Sequence, residues 1–235
     1  MRIWVVNHYA DPPDGMATRS FDLSRRFVES GNPTTIFTSN FSHYRFSRMR
    51  PIQWGRLWHK ENVDGVRLVW IQTTPYRSND WKRIMNMLSF AAISLLAGVI
   101  DRERPGLVIG VTVHPMAALA GFWLARIKRA RFVFEVTDLW PQSLIELGRL
   151  SSASMTARVL RRLERFLFQK AERIVMLWRN TNDYVESQGV SAQKIIWIPH
   201  GVELSRYREL RPYDGGTRQP FRIMYLGAFV ESMAL

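Results

Sequence analysis

One rhythm constrains this chain more than any other feature. Short apolar runs suited to β-strands alternate with longer segments spaced as amphipathic helices. Strand-like runs fall at 2–7, 34–38, 66–72, 107–111, 132–136, 173–177 and 195–198, and helical spacing at 17–30, 80–104, 115–129, 151–170 and 180–188. The clearest helix puts Val159, Leu160, Leu163, Phe166 and Leu167 on one face, with Arg158, Arg161, Arg162 and Arg165 interleaved. Strands separated by helices of this length imply βαβ units and a parallel sheet. Right-handed crossovers then predict a doubly wound, Rossmann-like α/β domain of three layers, with about seven parallel strands. Residues 40–66, polar and irregular, read as a long loop.

The 235 residues suffice for one large domain. Residues 1–202 are expected to form it. Residues 203–219, charged and rich in Pro and Gly, read as a linker, and a last strand begins near 221. With 33 Lys and Arg against 20 Asp and Glu, the net charge is +13. That excess favours anionic partners such as acidic lipid, phosphorylated small molecules or nucleic acid. The absence of cysteine excludes disulfides and thiolate metal sites. The first ten residues lack the apolar core of a signal peptide. Residues 84–100 hold 17 residues without a charge. A spanning helix needs about 20, and this run contains Asn86, Ser89, Ser94 and Gly98. It reads as a packed helix of a soluble domain or one lying partly in a bilayer interface.

Open parallel sheets bind ligands beyond the carboxyl ends of their strands. There the sequence places "NHYADPPDGMATRS", "TVHPM", "TDLWP" and "PHGVE". The dinucleotide fingerprint is missing: residues 1–30 contain one glycine, Gly15, and no acid closes the second strand. Neither a P-loop nor a nucleophile elbow appears, nor a nucleic-acid-binding signature. Gly15 precedes a helix N-terminus, where free N–H groups attract phosphate. It equally suits an ordinary turn with Thr18 or Asp14 capping the helix. His114 suits capping or packing as well as catalysis. Asp138 and Trp140 suit a turn cap, or a ligand that is hydrogen-bonded and stacked.

Four collinear segments, "NHYADPPDGMATRSFDLSRRFVESG", "HPMAALAGFWLARIKRARFVFEVTDLWPQSLIELG", "LERFLFQKAERIVML" and "GVSAQKIIWIPHGVEL", resemble the N-terminal half of family-four GT-B glycosyltransferases. The resemblance covers residues 1–210 and is nearest to bacterial enzymes of O-antigen, capsule and exopolysaccharide synthesis. It implies an acceptor-side domain facing a second domain that binds a nucleotide sugar, with retention of configuration and neither a metal nor another cofactor. It places Gly15 and Met16 at the donor phosphates. His114 and Asp138 become the catalytic candidates, and Asp14, Arg19, Trp140 and His200 line the cleft. Three positions depart from the family pattern: Asp14 stands where relatives carry a glycine, Thr137 where they carry Arg, and His200 where they carry Asn. Residues 220–235 resemble the first strand of a truncated donor domain, so the chain alone is expected to be inactive. The implied partners are a nucleotide sugar, a lipid-linked saccharide acceptor and an anionic membrane surface. The implied location is the cytoplasmic face of the cell membrane, without nucleic acid. The alternative is a basic membrane- or nucleic-acid-binding module without chemistry.

Overall fold

The computed structural model describes residues 1–78 and 80–209; the expected strand near 221 lies outside them. The strands are β1 (Ile3–Val6), β2 (Thr34–Ser39), β3 (Phe41–Ser42), β4 (Ser47–Arg48), β5 (Trp58–Val63), β6 (Val66–Ile71), β7 (Leu107–Val111), β8 (Arg131–Val136), β9 (Arg173–Met176) and β10 (Ile195–Trp197). The α-helices are α1 (Arg19–Glu29), α2 (Trp81–Ile100), α3 (Pro115–Lys128), α4 (Gln142–Glu146), α5 (Met155–Lys170) and α6 (Asn182–Ser187).

Eight strands form one sheet in the order β10-β9-β8-β7-β1-β2-β6-β5. The seven expected strands pair in parallel. The eighth, β5, is a correction: it lies in the segment read as a loop and runs antiparallel to β6 at the edge. Asp64 and Gly65 both take positive φ, 48° and 80°, and Val63 pairs with Val66 across them. This is the two-residue Asp-Gly hairpin turn that matches strand twist. The strand was hard to see because its exposed edge carries polar residues. The same segment also holds the small antiparallel pair β3–β4.

Strand alternation sorts the core. Trp4 and Val6 face a cluster completed by α2, α3, α5 and α6. Ile3 and Val5 face another around Phe21 of α1. Caps set the helix starts: Asp80 accepts from Lys82 N on α2, and Ser154 accepts from Ala157 N on α5. Neither Thr18 nor Asp14 caps α1; the Thr18 hydroxyl donates to Asp22 Oδ2 at 2.8 Å. Past residue 202 the chain turns back onto α1, where Glu203 pairs with Arg25 and Arg26.

Helix α3 approaches β7 through two glycines. A Cβ on Gly121 would lie 3.0 Å from Gly110 Cα, and one on Gly110 would lie 3.0 Å from Ala118 O. Backbone on both sides leaves little room to yield. Gly121→Val is therefore expected to destabilise the domain by about 1–3 kcal/mol, seen as a lower urea midpoint. Gly201→Ala, whose methyl meets nothing within 4 Å, should leave the midpoint unchanged.

Candidate functional site

The chain builds outward from β1 in both directions, through β2 and β6 on one side and β7 to β10 on the other. Loops leaving β1 and β7 therefore diverge, and such a switch point opens a crevice. A cleft of about 780 Å³ lies there, with walls from the loops after β1, β8, β9 and β10. Met16, Arg19, Asp138, Trp140 and His200 all line it, so the tertiary structure brings together five of the eight candidates.

The loop after β1 wraps around a residue that sequence reasoning missed. Asp11 is buried, and its Oδ2 accepts from Met16 N at 2.9 Å and Ala17 N at 3.1 Å. The Gly15 amide donates to Pro12 O. The amides expected to face a phosphate are thus spent inside the loop, on an internal anion. Gly15 is required for a different reason: a Cβ there would fall 2.1 Å from Asp11 Cβ. Asp14 turns away from the cleft toward Arg50 at 3.5 Å.

Arg19 lines the cleft, but its guanidinium serves the protein. Nε donates to Glu135 Oε1 at 2.9 Å, Nη1 to Pro199 O at 2.7 Å and Nη2 to Ile198 O at 3.0 Å. One side chain so ties the start of α1 to the end of β8 and to the chain after β10. His200 follows that clamp, and burial with the nearby Arg19 charge lowers its pKa below the usual value.

Asp138 sits at the β8 exit. Its carboxylate is open to the cleft, yet protein surrounds it on most sides, and this desolvation raises its pKa. The preceding Thr137 is anchored through its hydroxyl to Thr112 O at 2.5 Å. Across the cleft, the pKa of the Tyr44 phenol is raised, first by burial and then by the charges of Asp11 and Asp138.

His114 does not reach the cleft. It is fully buried and caps α3, with Nδ1 accepting from Ala117 N at 3.3 Å. That bond leaves the proton on Nε2, which meets His8 Nδ1 at 2.6 Å. His8 Nε2 and Asn86 Oδ1 lie buried without a hydrogen-bond partner among the described residues, while Asn86 Nδ2 donates to Thr73 Oγ1 and Thr74 O. The result is a buried cluster of neutral polar groups, with the proton of the histidine pair placed by the α3 cap. Above it lies an aromatic end of the cleft, where Tyr9 stacks on His43 at 5.3 Å and His43 Nδ1 meets Tyr76 OH at 2.5 Å. Arg83 lines this end. His8 was legible as the second residue beyond β1. The His43–Tyr76 pair, 33 residues apart, left no local signal.

Burial lowers both His8 and His114, the latter to about 3. The unfolded chain, with pKa near 6.5, therefore binds more protons than the folded one at acidic pH. Stability should be complete above about pH 6.5 and fall as pH drops, by up to about 1.4 kcal/mol per pH unit for each ring. Urea denaturation at pH 8, 7, 6 and 5 measures this, and His114→Asn should make the acid slope shallower.

Comparison with known proteins agrees with this architecture. The chain matches the family described as "Glycosyl transferase 4-like domain" over residues 14–201. It is 23% identical over 162 residues to WcaI of Escherichia coli (strain K12), named for colanic acid biosynthesis and glycosyl transfer, covering 67% of this chain and 40% of that protein. It is 27% identical over 110 residues to WbjE of Pseudomonas aeruginosa, named as a glycosyltransferase, covering 46% and 28%. Sucrose-phosphate synthase from Thermosynechococcus elongatus superposes with TM-score 0.60 at 12% identity, over 87% of this chain and 49% of that one. The catalytic domain of starch synthase IV from Arabidopsis thaliana gives 0.56 at 12% identity, over 88% and 52%. The chain thus spans less than half of the curated relatives and about half of the solved chains. At such identity the solved structures speak for the fold, one Rossmann-like half of a GT-B arrangement. The chain belongs to the glycosyl transferase 4-like domain family.

Proposed function

We propose that this domain is the acceptor-side half of a retaining glycosyltransferase. The enzyme moves a sugar from a nucleotide donor to a lipid-linked or polysaccharide acceptor at the cytoplasmic face of the membrane. The observation that carries the proposal is Asp138: a desolvated carboxylate at a strand exit, facing open space in the cleft at the sheet's switch point. There it accepts a hydrogen bond from a sugar hydroxyl and orients it, while Trp140 offers an aromatic face to the ring. Arg19 and Glu135 hold the floor on which both stand. His114 acts as a positioning residue beneath Tyr9, through His8. The starch synthase bound to ADP and acarbose, and Anabaena HepE, solved with UDP and glucose at TM-score 0.51, favour a nucleotide-linked donor.

This half offers a diphosphate little, because Asp11 occupies the loop amides. Catalysis therefore rests on a facing domain that supplies the charges for the departing nucleotide. Residues 1–235 alone should give no transfer from radiolabelled UDP- or GDP-sugars, and robust turnover from these residues would overturn the proposal. In a protein of the relatives' full length, Asp138→Asn should lower kcat/KM about 10- to 100-fold, the worth of a hydrogen bond to a charged group. Circular dichroism should be unchanged. Undiminished kcat/KM would remove Asp138 from this role.

A further inference from the structure

Helix α2 turns a large apolar face to water, although Ile93 and Leu95 on its flanks pack against the core. A surface helix of a soluble domain turns its large apolar residues inward and its polar ones to water. Here the buried residues are Asn86, Phe90, Ser94, Ala97 and Gly98, small or polar apart from the one aromatic. Asn86 is hydrogen-bonded to Thr73 and Thr74, Ser94 donates to Phe90 O at 2.6 Å, and Gly98 sits against Leu124. The outward face carries Trp81, Ile84, Met85, Leu88, Leu96 and Ile100, with Trp81 66% and Ile84 58% exposed. Beside it α3 adds exposed Trp123 and Ile127. Small and polar residues inside with large apolar ones outside is the pattern of helices that pack in lipid.

Charge identifies the occupant. At the head of α2 lies a second cavity of about 490 Å³, lined by Arg48, Arg77 and Lys82 together with Phe46 and Tyr76. Its acid, Asp80, is engaged by Ser78 Oγ and Lys82 N as the helix cap. Arg48 and Arg77 form no salt bridge among the described residues. At the other end of the helix, Arg102, Arg104 and Arg126 are exposed. An apolar stripe about 30 Å long, with cations at both ends, matches the surface of an anionic leaflet.

We propose that α2 lies in the plane of an anionic membrane leaflet. Its outward face, with Trp123 and Ile127, enters the headgroup–acyl boundary, and the Arg48–Arg77–Lys82 cavity receives a lipid phosphate. The helix does not cross the bilayer, because Phe90 and Ala97 pack in the core of the domain and Asn86 is hydrogen-bonded to Thr73 and Thr74. This orientation brings the aromatic end of the cleft to the membrane: Arg83, which lines the cleft, stands between Lys82 and Ile84. An acceptor held in the leaflet would enter past Tyr9, His43 and Tyr44. The inference deepens the proposed membrane-facing transferase and rests on it for the acceptor.

The test is flotation of the full chain with vesicles of phosphatidylcholine alone or mixed with phosphatidylglycerol. Binding is expected to the mixed vesicles, with tryptophan fluorescence quenched by brominated acyl chains and less so in Trp81→Phe. Leu88→Glu with Leu96→Glu, both exposed, should reduce binding at least about tenfold with circular dichroism retained. Arg48→Ser and Arg77→Ser should each reduce it about fivefold. Wild-type binding by these variants overturns the proposal. So does a change from dimer to monomer in Leu88→Glu with vesicle binding intact, which would make the face a protein interface. Vesicle binding requires neither sugar nor nucleotide, so failure of the transferase proposal would leave it unchanged. Conversely, a full-length variant that loses vesicle binding should keep transfer to a water-soluble acceptor.

Discussion

The Arg19–Glu135 ion pair is the contact on which the cleft depends. Its atoms are 2.9 Å apart, and the two side chains are only 14% and 8% exposed. The remaining guanidinium nitrogens take the carbonyls of Ile198 and Pro199. Three parts of the chain, distant in sequence, meet at one planar fork whose geometry lysine lacks. Breaking a buried pair leaves an unpaired charge, which costs about 3–5 kcal/mol. Here the same loss would also free the segment that carries His200 and Gly201 to the cleft wall.

The charge of the chain and the charge of the cleft have opposite tendencies. The sequence is strongly basic, yet in the crevice Asp22, Glu135 and Asp138 stand against Arg19 and Arg83, and Asp11 lies within the adjoining loop. Asp11 already fills the amide nest in which a helix-start phosphate site would form. The positive surplus is spent elsewhere, in part on the cavity and helix ends around α2. A single domain thus presents a carboxylate to the cleft on one surface and a cluster of cations beside an apolar helix on the next.

Two neighbouring buried systems keep the aromatic end of the cleft in place. The His114–His8 hydrogen bond runs beneath it, its direction set by the α3 cap. The His43–Tyr76 pair closes its side. Both use side chains that are neutral in the fold, so they rigidify the cleft wall without adding charge to it.

The fold was legible because strand and helix periods are local properties. Seven of the eight strands of the main sheet and the five longest or best-bounded helices follow from residue spacing, whereas the strand order that makes the switch point does not. The edge strand β5 escaped because only one side of it packs, so its pattern is diluted, although its Asp64-Gly65 turn was visible. The exits that carry Asp138, Trp140, Met16, Arg19 and His200 were also legible, since ligands of open sheets collect beyond strand ends. What each group does there was decided by tertiary structure. Asp11 folding onto the amides of Met16 and Ala17 is local, but Arg19 spanning to Glu135 and His114 turning to His8 rather than outward are contacts between partners 116 and 106 residues apart. Which face of α2 meets the sheet was likewise fixed by packing: the stripe of Asn86, Ser94 and Gly98 would face water on an ordinary surface helix, and here it is buried.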